Sequence, residues 1–561
     1  MELNQLKMKR LSLIIWLLSA ISLICAMPIV RDAIITLIEI TILGREFTES
    51  IALLKLFSSI FLSIAFILCF IATIIYYNET INKPQINIKP YKPLIITLAI
   101  ICIIAFYPIF RSNFNYIDDS DRVIFGTGLW IFYSRYISEV FSHIIHTGWF
   151  LADISPLTQT ISICILIAAS LIVISHFKGK QDKFSLWNIA SVLPLSLCPY
   201  FLECISYKYD SPYMALSILA SVLPILFMRS KSIIFIEVTF ICTLVMCMTY
   251  QASSGIFPIL IVITAFKLWI EKTDYKRIML FISKSAGTYI LALIVFNIFM
   301  MTPVEGERIN ASIASISTII DNYATFFNLL TTDFHVIWLI LIFALTVWFV
   351  ITSAIYSKQN KFISLLVSLI SVTIMLLLTW GVYPFLQHTL TDCRAMYGIG
   401  AFIAYIGIAN IATNGTKWIT RALTICISWC FIVFSNIYGN ALASQNDYIN
   451  LRIHEVINDL TDLEEFNTEE TKLVQFVGTA GFSPQIDNAK SEFKILNRIV
   501  PQMFRGEWDF GQNIFFDHYK LRNVEWNSDH VTAQYQDWAI LHQSHYHTIY
   551  FNNNHFIVEL K

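Results

Sequence analysis

Long apolar runs, broken at intervals by short charged segments, fill the chain up to about residue 440. A bilayer core about 30 Å thick is crossed by about 20 apolar residues in a helix. On that ruler about thirteen spans are predicted, near 11–30, 51–77, 93–111, 157–177, 186–204, 212–229, 233–250, 255–270, 280–301, 336–356, 362–382, 395–413 and 422–439. The first follows Lys7, Lys9 and Arg10 and lacks a small-x-small cleavage site, so it reads as a retained signal anchor. Residues 31–50 carry too much charge to span and read as an interfacial helix. After 440 the pattern changes. KLVQFVGTAG has the form of a strand entering a glycine turn, NAKSEFKILNRIVPQMF that of an amphipathic helix, and the last thirty residues that of strands around an Asn-rich turn. The predicted fold class is an α-helical polytopic membrane protein with a small C-terminal α/β extracytoplasmic domain over 441–561.

Composition agrees with this pattern. Of 561 residues, 56% are apolar and 14% charged, where a soluble domain has about a quarter charged, so a string of soluble domains is excluded. A net charge of −1 excludes a generally basic protein that coats nucleic acid. Nearly all of the 11 Cys lie inside apolar runs, the reverse of a secreted disulfide scaffold. Every second gap between spans is rich in Lys and Arg, beginning with the N-terminal one. By the positive-inside rule the N-terminus is cytoplasmic, and an odd number of spans puts the tail outside with the long loops 112–156 and 302–335.

The candidate chemistry sits in the first of those loops. Asp118, Asp119 and Asp121, with Arg122, follow a span directly. Three acids in four residues repel one another unless a cation, a metal or a shared proton offsets them, which suits a general base or a divalent metal at Asp118/Asp119. The same residues would equally form an acidic cap on VIFGTGLWIFYSRYISEVF, which has the spacing of a surface helix carrying Arg135 and interfacial aromatics. Other polar positions gather at outward span ends: Glu203, Tyr207, Lys208 and Asp210, then Tyr250 and Gln251, then Arg394. Their convergence implies a polar cavity open outward, with guanidinium groups able to grip a phosphate. His542, His545, His547 and His555 lie near the C-terminus. On one strand only His545 and His547 share a face, and with no Cys or nearby acid they read as surface strand residues, not a zinc site. His143 and His146 in the loop earn the same reading. No Walker-type or GxGxxG motif is present.

The pieces YIDDSDRVIFG, FYSR, DISPLTQ, SYKYDSPYMALS, YQASS, RAMYGIG and NIYGNALASQNDY occur in this order from residue 116 to 448. In them the chain resembles the bacterial, often phage-borne, serotype-converting O-antigen glucosyltransferases of the Gtr type-II family, membrane glycosyltransferases of GT-C fold. The resemblance implies transfer of glucose from undecaprenyl-phosphate glucose to lipid-linked O-antigen at the periplasmic face of the inner membrane. A donor-lipid synthase and a donor-lipid flippase would be its functional partners. It also implies a GT-C-like core over 93–440. The acidic motif of such enzymes usually lies in the first outside loop, whereas two spans precede it here, so the N-terminal spans of 1–92 either belong to the shared core or are an addition to it. On this reading Asp118 or Asp119 is the base. Asp121, Arg122, Arg135, Tyr207, Lys208, Asp210, Gln251 and Arg394 bind substrate, and no metal or other cofactor is assigned. A flippase or transporter would call for charges at mid-span, where acids are almost absent. An O-antigen polymerase or ligase would share the spans and the cavity.

Overall fold

A computed structural model describes residues 2–26, 51–77, 91–177, 185–301, 312–412, 417–506, 508, 514–526 and 535–561. The predicted interfacial helix at 31–50 lies outside these residues. Among the described residues nine helices are long and apolar enough to cross a membrane: within Ser58–Tyr76, Lys92–Ser112, Leu157–Phe177, Ser232–Thr249, Gln251–Ile270, Tyr275–Met300, Val336–Tyr356, Lys361–Leu378 and Trp418–Thr461. Four predicted spans form shorter apolar helices: Leu11–Cys25, Leu186–Leu197, Ser211–Phe227 and Gly398–Ile411. The outer faces of the long helices carry exposed Ile96, Ile100, Ile103, Ile290, Leu291, Ile337, Ile340 and Phe343. A contiguous apolar exterior of this kind is tolerated only against lipid.

Inside the bundle, small hydroxyl side chains tie helix to helix where apolar burial gives no advantage over lipid. Helix Glu2–Cys25 lies along Ile51–Tyr77, and Ser12, Ser19 and Ser22 donate to the carbonyls of Ala72 (2.8 Å), Ala65 (2.6 Å) and Phe61 (2.7 Å). Helix Lys92–Ser112 packs along the 45-residue helix Lys417–Thr461. Gly439 permits the close approach: a Cβ there would sit 2.5 Å from Ile109 N and 2.6 Å from the Pro108 carbonyl carbon.

Four sequence expectations are corrected. The run 186–204 is no single span but three short helices, Leu186–Val192, Pro194–Leu197 and Phe201–Ser206, because Pro194 and Pro199 cannot donate to the helical ladder. The surface helix expected after the acidic motif is a helix Asp119–Phe125, a 3-10 turn Trp130–Tyr133 and a helix Tyr136–Ile145. Gly126, at φ +62°, ends the first of these, and a Cβ there would lie 2.4 Å from the Phe150 ring. The long loop 302–335 contains the helix Ile316–Asp333. The expected amphipathic helix near 488–504 shrinks to the end of Pro484–Ala489 and the turn Leu496–Ile499. Ile495, Leu496, Ile499, Val500, Met503 and Phe504 are all buried at the spacing of one helical face, but Pro501 has no N–H to donate and Val500 before it is extended, so the helix stops there.

The C-terminal sheet has five strands, β1 (Lys472–Gly478), β2 (Val524–Trp526), β3 (Ala539–Gln543), β4 (His547–Asn552) and β5 (His555–Leu560), in the order β2-β1-β5-β4-β3. β1 runs parallel to β2 and β5, and the β3–β4 and β4–β5 pairs are antiparallel. Asn553 and Asn554, at φ +48° and +63°, make the tight β4–β5 turn, the two left-handed positions that a two-residue hairpin requires. The glycine turn after β1 is also present, with Gly478 at φ +77°. The long helix runs unbroken across residue 440, where the composition shifts, and carries the chain from the bundle into this domain.

Candidate functional site

The acidic motif starts at the C-terminal end of Lys92–Ser112, and the segments 203–210, 250–251 and 392–394 adjoin it from the same end of the bundle. Asp118 and Asp119 are neighbours in sequence but not in environment. Asp118 precedes the helix Asp119–Phe125 with its side chain 44% exposed. Asp119 is wholly buried and accepts the backbone N–H groups of Tyr116 (3.3 Å), Lys208 (2.8 Å) and Tyr209 (3.4 Å). It clamps the 207–210 segment onto the motif. Burial pushes its carboxyl up to about 8, against the opposing pull of the Arg122 charge and the Lys208 N–H.

Arg122 is buried, pairs with Asp210, stands 3.8 Å from Asp118 and lies over the Trp130 ring at 4.5 Å. Trp130 Nε1 donates to the other oxygen of Asp210. Burial works against the Arg122 charge, but Asp210 and then Asp118 more than offset it and hold the proton more tightly than in water. Lys208 is enclosed as well: its Nζ donates to Asn113 and Asn115 (2.7 Å each) and to Asp153 (3.0 Å). So Asp118, Asp119, Arg122, Lys208 and Asp210 form one network. Asp121, half-buried on the same short helix, lies beside them in sequence.

Arg394 belongs to a second group. Its backbone N–H donates to Glu203 (2.7 Å), its guanidinium lies 3.6 Å from Glu203 and 3.0 Å from Asp392, and it donates to the Tyr207 hydroxyl. Tyr207 packs edge-on against Tyr116 at 4.8 Å, which joins this group to the acidic motif. Arg135 stands apart. Its guanidinium faces the rings of Tyr250 (4.6 Å) and Tyr133 (5.5 Å), its Nε is buried without a hydrogen bond, and among the described residues no carboxylate pairs with it. The turn Gln251–Gly255, next to Tyr250, packs against the turn Cys393–Ala395 that carries Arg394, so the two guanidinium groups border one region. Gln251 is at its edge, donating to the Tyr133 carbonyl at 3.4 Å.

Sequence reasoning passed over Asp153, Asn113, Asn115 and Asp392 as site residues and took Trp130 for an interfacial aromatic, whereas it is buried against Asp210. The former are unremarkable loop residues until the chain brings them against Lys208 or Arg394. Of the loop histidines, His143 lies 3.3 Å from Glu139 and 3.0 Å from the Gly148 carbonyl, and His146 stacks on Tyr209 with rings 5.6 Å apart, so both are engaged in packing. All eleven cysteines are free.

An apolar helical bundle with carboxylates and guanidinium groups gathered at one end defines a polytopic membrane protein with a polar reaction site. Comparison with known proteins makes the class specific. Residues 107–405, more than half of the chain, match the family described as glucosyl transferase GtrII, and the chain belongs to that family of glycosyltransferases. An uncharacterized 55.3 kDa protein in the gtrB 5' region of Salmonella phage P22 is 23% identical over 445 residues, covering 76% of this chain and 91% of its own length. No solved structure matches significantly. The family match begins after the helices Glu2–Cys25 and Ile51–Tyr77 and takes in the acidic motif, the 203–210 segment and Arg394.

Proposed function

We propose that this glycosyltransferase moves a glucosyl or other hexosyl group from an undecaprenyl-phosphate-linked sugar to lipid-linked O-antigen, by an inverting mechanism at the periplasmic face of the bacterial inner membrane. The observation that carries this reading is the contrast among the cations at the site. Arg122 and Arg394 are each matched by carboxylates, whereas Arg135 keeps a net positive charge beside an aromatic wall. A polyprenyl phosphate departs as an anion, and a half-buried guanidinium without a carboxylate partner suits that charge.

In this mechanism the acceptor hydroxyl oxygen attacks C1 of the donor sugar from the face opposite the phosphate. The C1–O bond to phosphate breaks, its electron pair leaves with the polyprenyl phosphate, and the hydroxyl proton passes to Asp118. Asp118 is the accessible member of the acidic pair, while Asp119 is committed to three backbone N–H groups. Asp119 and Lys208 then act as positioning residues. Arg135 and Arg394 face the phosphate, Asp210 with Arg122 holds the Trp130 turn, and Tyr207, Gln251 and Asp121 border the sugars. The nine long helices, the shorter Leu11–Cys25, Ser211–Phe227 and Gly398–Ile411 and the broken segment 186–204 would together give thirteen membrane segments, eleven of them in a GT-C-like core at 93–440. The N-terminus would then be cytoplasmic and the sheet domain, 441–561, periplasmic. A donor-lipid synthase and a donor-lipid flippase would supply the sugar.

The test is transfer of radiolabelled glucose from undecaprenyl-phosphate glucose to lipid-linked O-antigen by the purified protein in liposomes. Asp118→Asn is expected to lower turnover about 10²–10⁴-fold, the range of a lost general base, with an unchanged thermal midpoint. Full activity in that variant removes Asp118 from the mechanism. In cells, a polysaccharide that differs in repeat number or lipid attachment, with no added branch sugar, would instead assign a polymerase or ligase.

A further inference from the structure

The C-terminal domain brings together three metal-ligating side chains that stand well apart in the sequence. Asp459 lies in the last turns of the long helix, His542 on β3 and His547 at the start of β4. Nε2 of each histidine is 3.0 Å from the same Asp459 oxygen, Oδ2, and the three donor atoms all lie within 4.8 Å of one another. Neither contact has the alignment of a hydrogen bond, and wholly buried His547 makes no hydrogen bond through either ring nitrogen. A buried imidazole with no hydrogen bond, aimed at a carboxylate and a second imidazole, is costly without an occupant between them.

The backbone is shaped to produce this grouping. Read as one strand, the segment would place His545 beside His547, but the chain reverses at Ser544–Tyr546, with Ser544 N–H donating to the His547 carbonyl at 2.9 Å. β3 and β4 pair Ile540 with Tyr550, then skip a residue so that His542 pairs with Ile549. Without that bulge His542 would oppose Thr548 and point to the other face of the sheet. With it, His542 shares the face of Ile549 and His547 and stands diagonally across from His547. Arg452, two turns before Asp459 on the same helix, donates to the carbonyls of Tyr546 (2.6 Å) and Lys561 (2.9 Å), which fixes the turn next to the site.

We propose that Asp459, His542 and His547 bind one divalent transition-metal ion of the zinc class. Two imidazole nitrogens and a carboxylate oxygen are the donors such ions take, and bonds of about 2.0–2.1 Å set tetrahedral ligand atoms about 3.3 Å apart. The two 3.0 Å contacts come within about 0.3 Å of that edge. His542 and Asp459 are partly exposed, and with three protein ligands the fourth position would fall to water. The ion would rivet the β3–β4 hairpin to the end of the helix that leaves the bundle. This is independent of the transfer reaction proposed above.

The full-length protein, purified in detergent without a polyhistidine tag, is to be incubated with zinc, dialysed free of excess and analysed by plasma mass spectrometry. One equivalent of zinc per chain is expected in the native protein and in His545→Ala, and loss of most of it in His547→Ala, His542→Ala and Asp459→Asn. Cobalt in place of zinc is expected to give the visible bands of a tetrahedral site. The cobalt spectrum needs no variant, so a misfolded His547→Ala does not spoil the test. Sub-stoichiometric zinc with no tetrahedral cobalt bands in the native protein overturns the proposal, as does equal zinc in folded Asp459→Asn and native chains.

Discussion

At the scale of single residues, adjacency in sequence says little about shared duty. Asp118 and Asp119 are the same side chain one peptide apart, yet one meets solvent and the other closes a loop. The buried carboxyl of Asp119 holds its proton to about pH 8, against 3.8 for an ordinary aspartate. The folded protein therefore binds more protons at this position than the unfolded chain does between these values. Its contribution is full below about pH 4 and is lost as pH rises through about 8. The thermal midpoint in detergent is expected to fall between pH 5 and 9, with a smaller fall in Asp119→Asn, whose amide does not titrate. A native midpoint that climbs over this range contradicts the assignment. The clustering of acids and cations at span ends was legible from residue types and spacing alone. Which carboxylate is exposed, and that Lys208 is enclosed by Asn113, Asn115 and Asp153, was not, because both depend on how distant segments dock.

At the scale of elements, apolar run length located the crossing helices and missed their breaks. Pro194 and Pro199 were visible in the run 186–204, but the run's hydrophobicity outweighed them, as it would in any window-based reading. The opposite error occurred at residue 440, where composition marks an edge and the helix continues. Helical hydrogen bonds form within the segment, so a backbone can pass from lipid into water without a break. Glycines show where elements touch. Gly439→Ala would push a methyl group against the backbone of Ile109 and Pro108, which cannot move aside as a side chain tip can. A loss of about 1–3 kcal/mol is expected, the usual cost of overpacking, seen as a lower thermal midpoint and yield. Gly287→Ala, where a Cβ meets nothing within 4 Å, is expected to be neutral or stabilising by up to about 1 kcal/mol. Similar losses from both substitutions would show that the helix contact at Gly439 is not the cause.

At the scale of the whole molecule, a few polar contacts join the sheet domain to the bundle beside the packing of Phe493 on Trp338 and Phe434. Arg498 pairs with buried Asp333 and donates to the Thr391 carbonyl, Tyr200 donates to Asp333 at 2.8 Å, and the hydroxyls of Tyr116 and Tyr438 donate to the Ile499 carbonyl at 2.8 and 3.1 Å. Tyr116 opens the acidic motif, so the domain contacts the candidate site directly. Arg498→Ala leaves Asp333 buried without its cation, a loss of about 3 kcal/mol. It is expected to raise hydrogen exchange across 484–506 and to slow sugar transfer, and adding Asp333→Asn should restore part of both. Exchange unchanged by Arg498→Ala would mean that the domain is held elsewhere. None of this docking could be foreseen, since the tail's composition announces a soluble domain but not the surface it rests on.

The long helix has a mechanical consequence. At about 1.5 Å per residue its 45 residues extend about 68 Å, more than twice the hydrocarbon thickness, with no joint where it leaves the lipid. A force on the sheet domain cannot swivel it on a hinge. The force must tilt or bend a rod that is packed along Lys92–Ser112, directly before the acidic motif, so strain applied to the domain arrives at the candidate site as a change in its geometry.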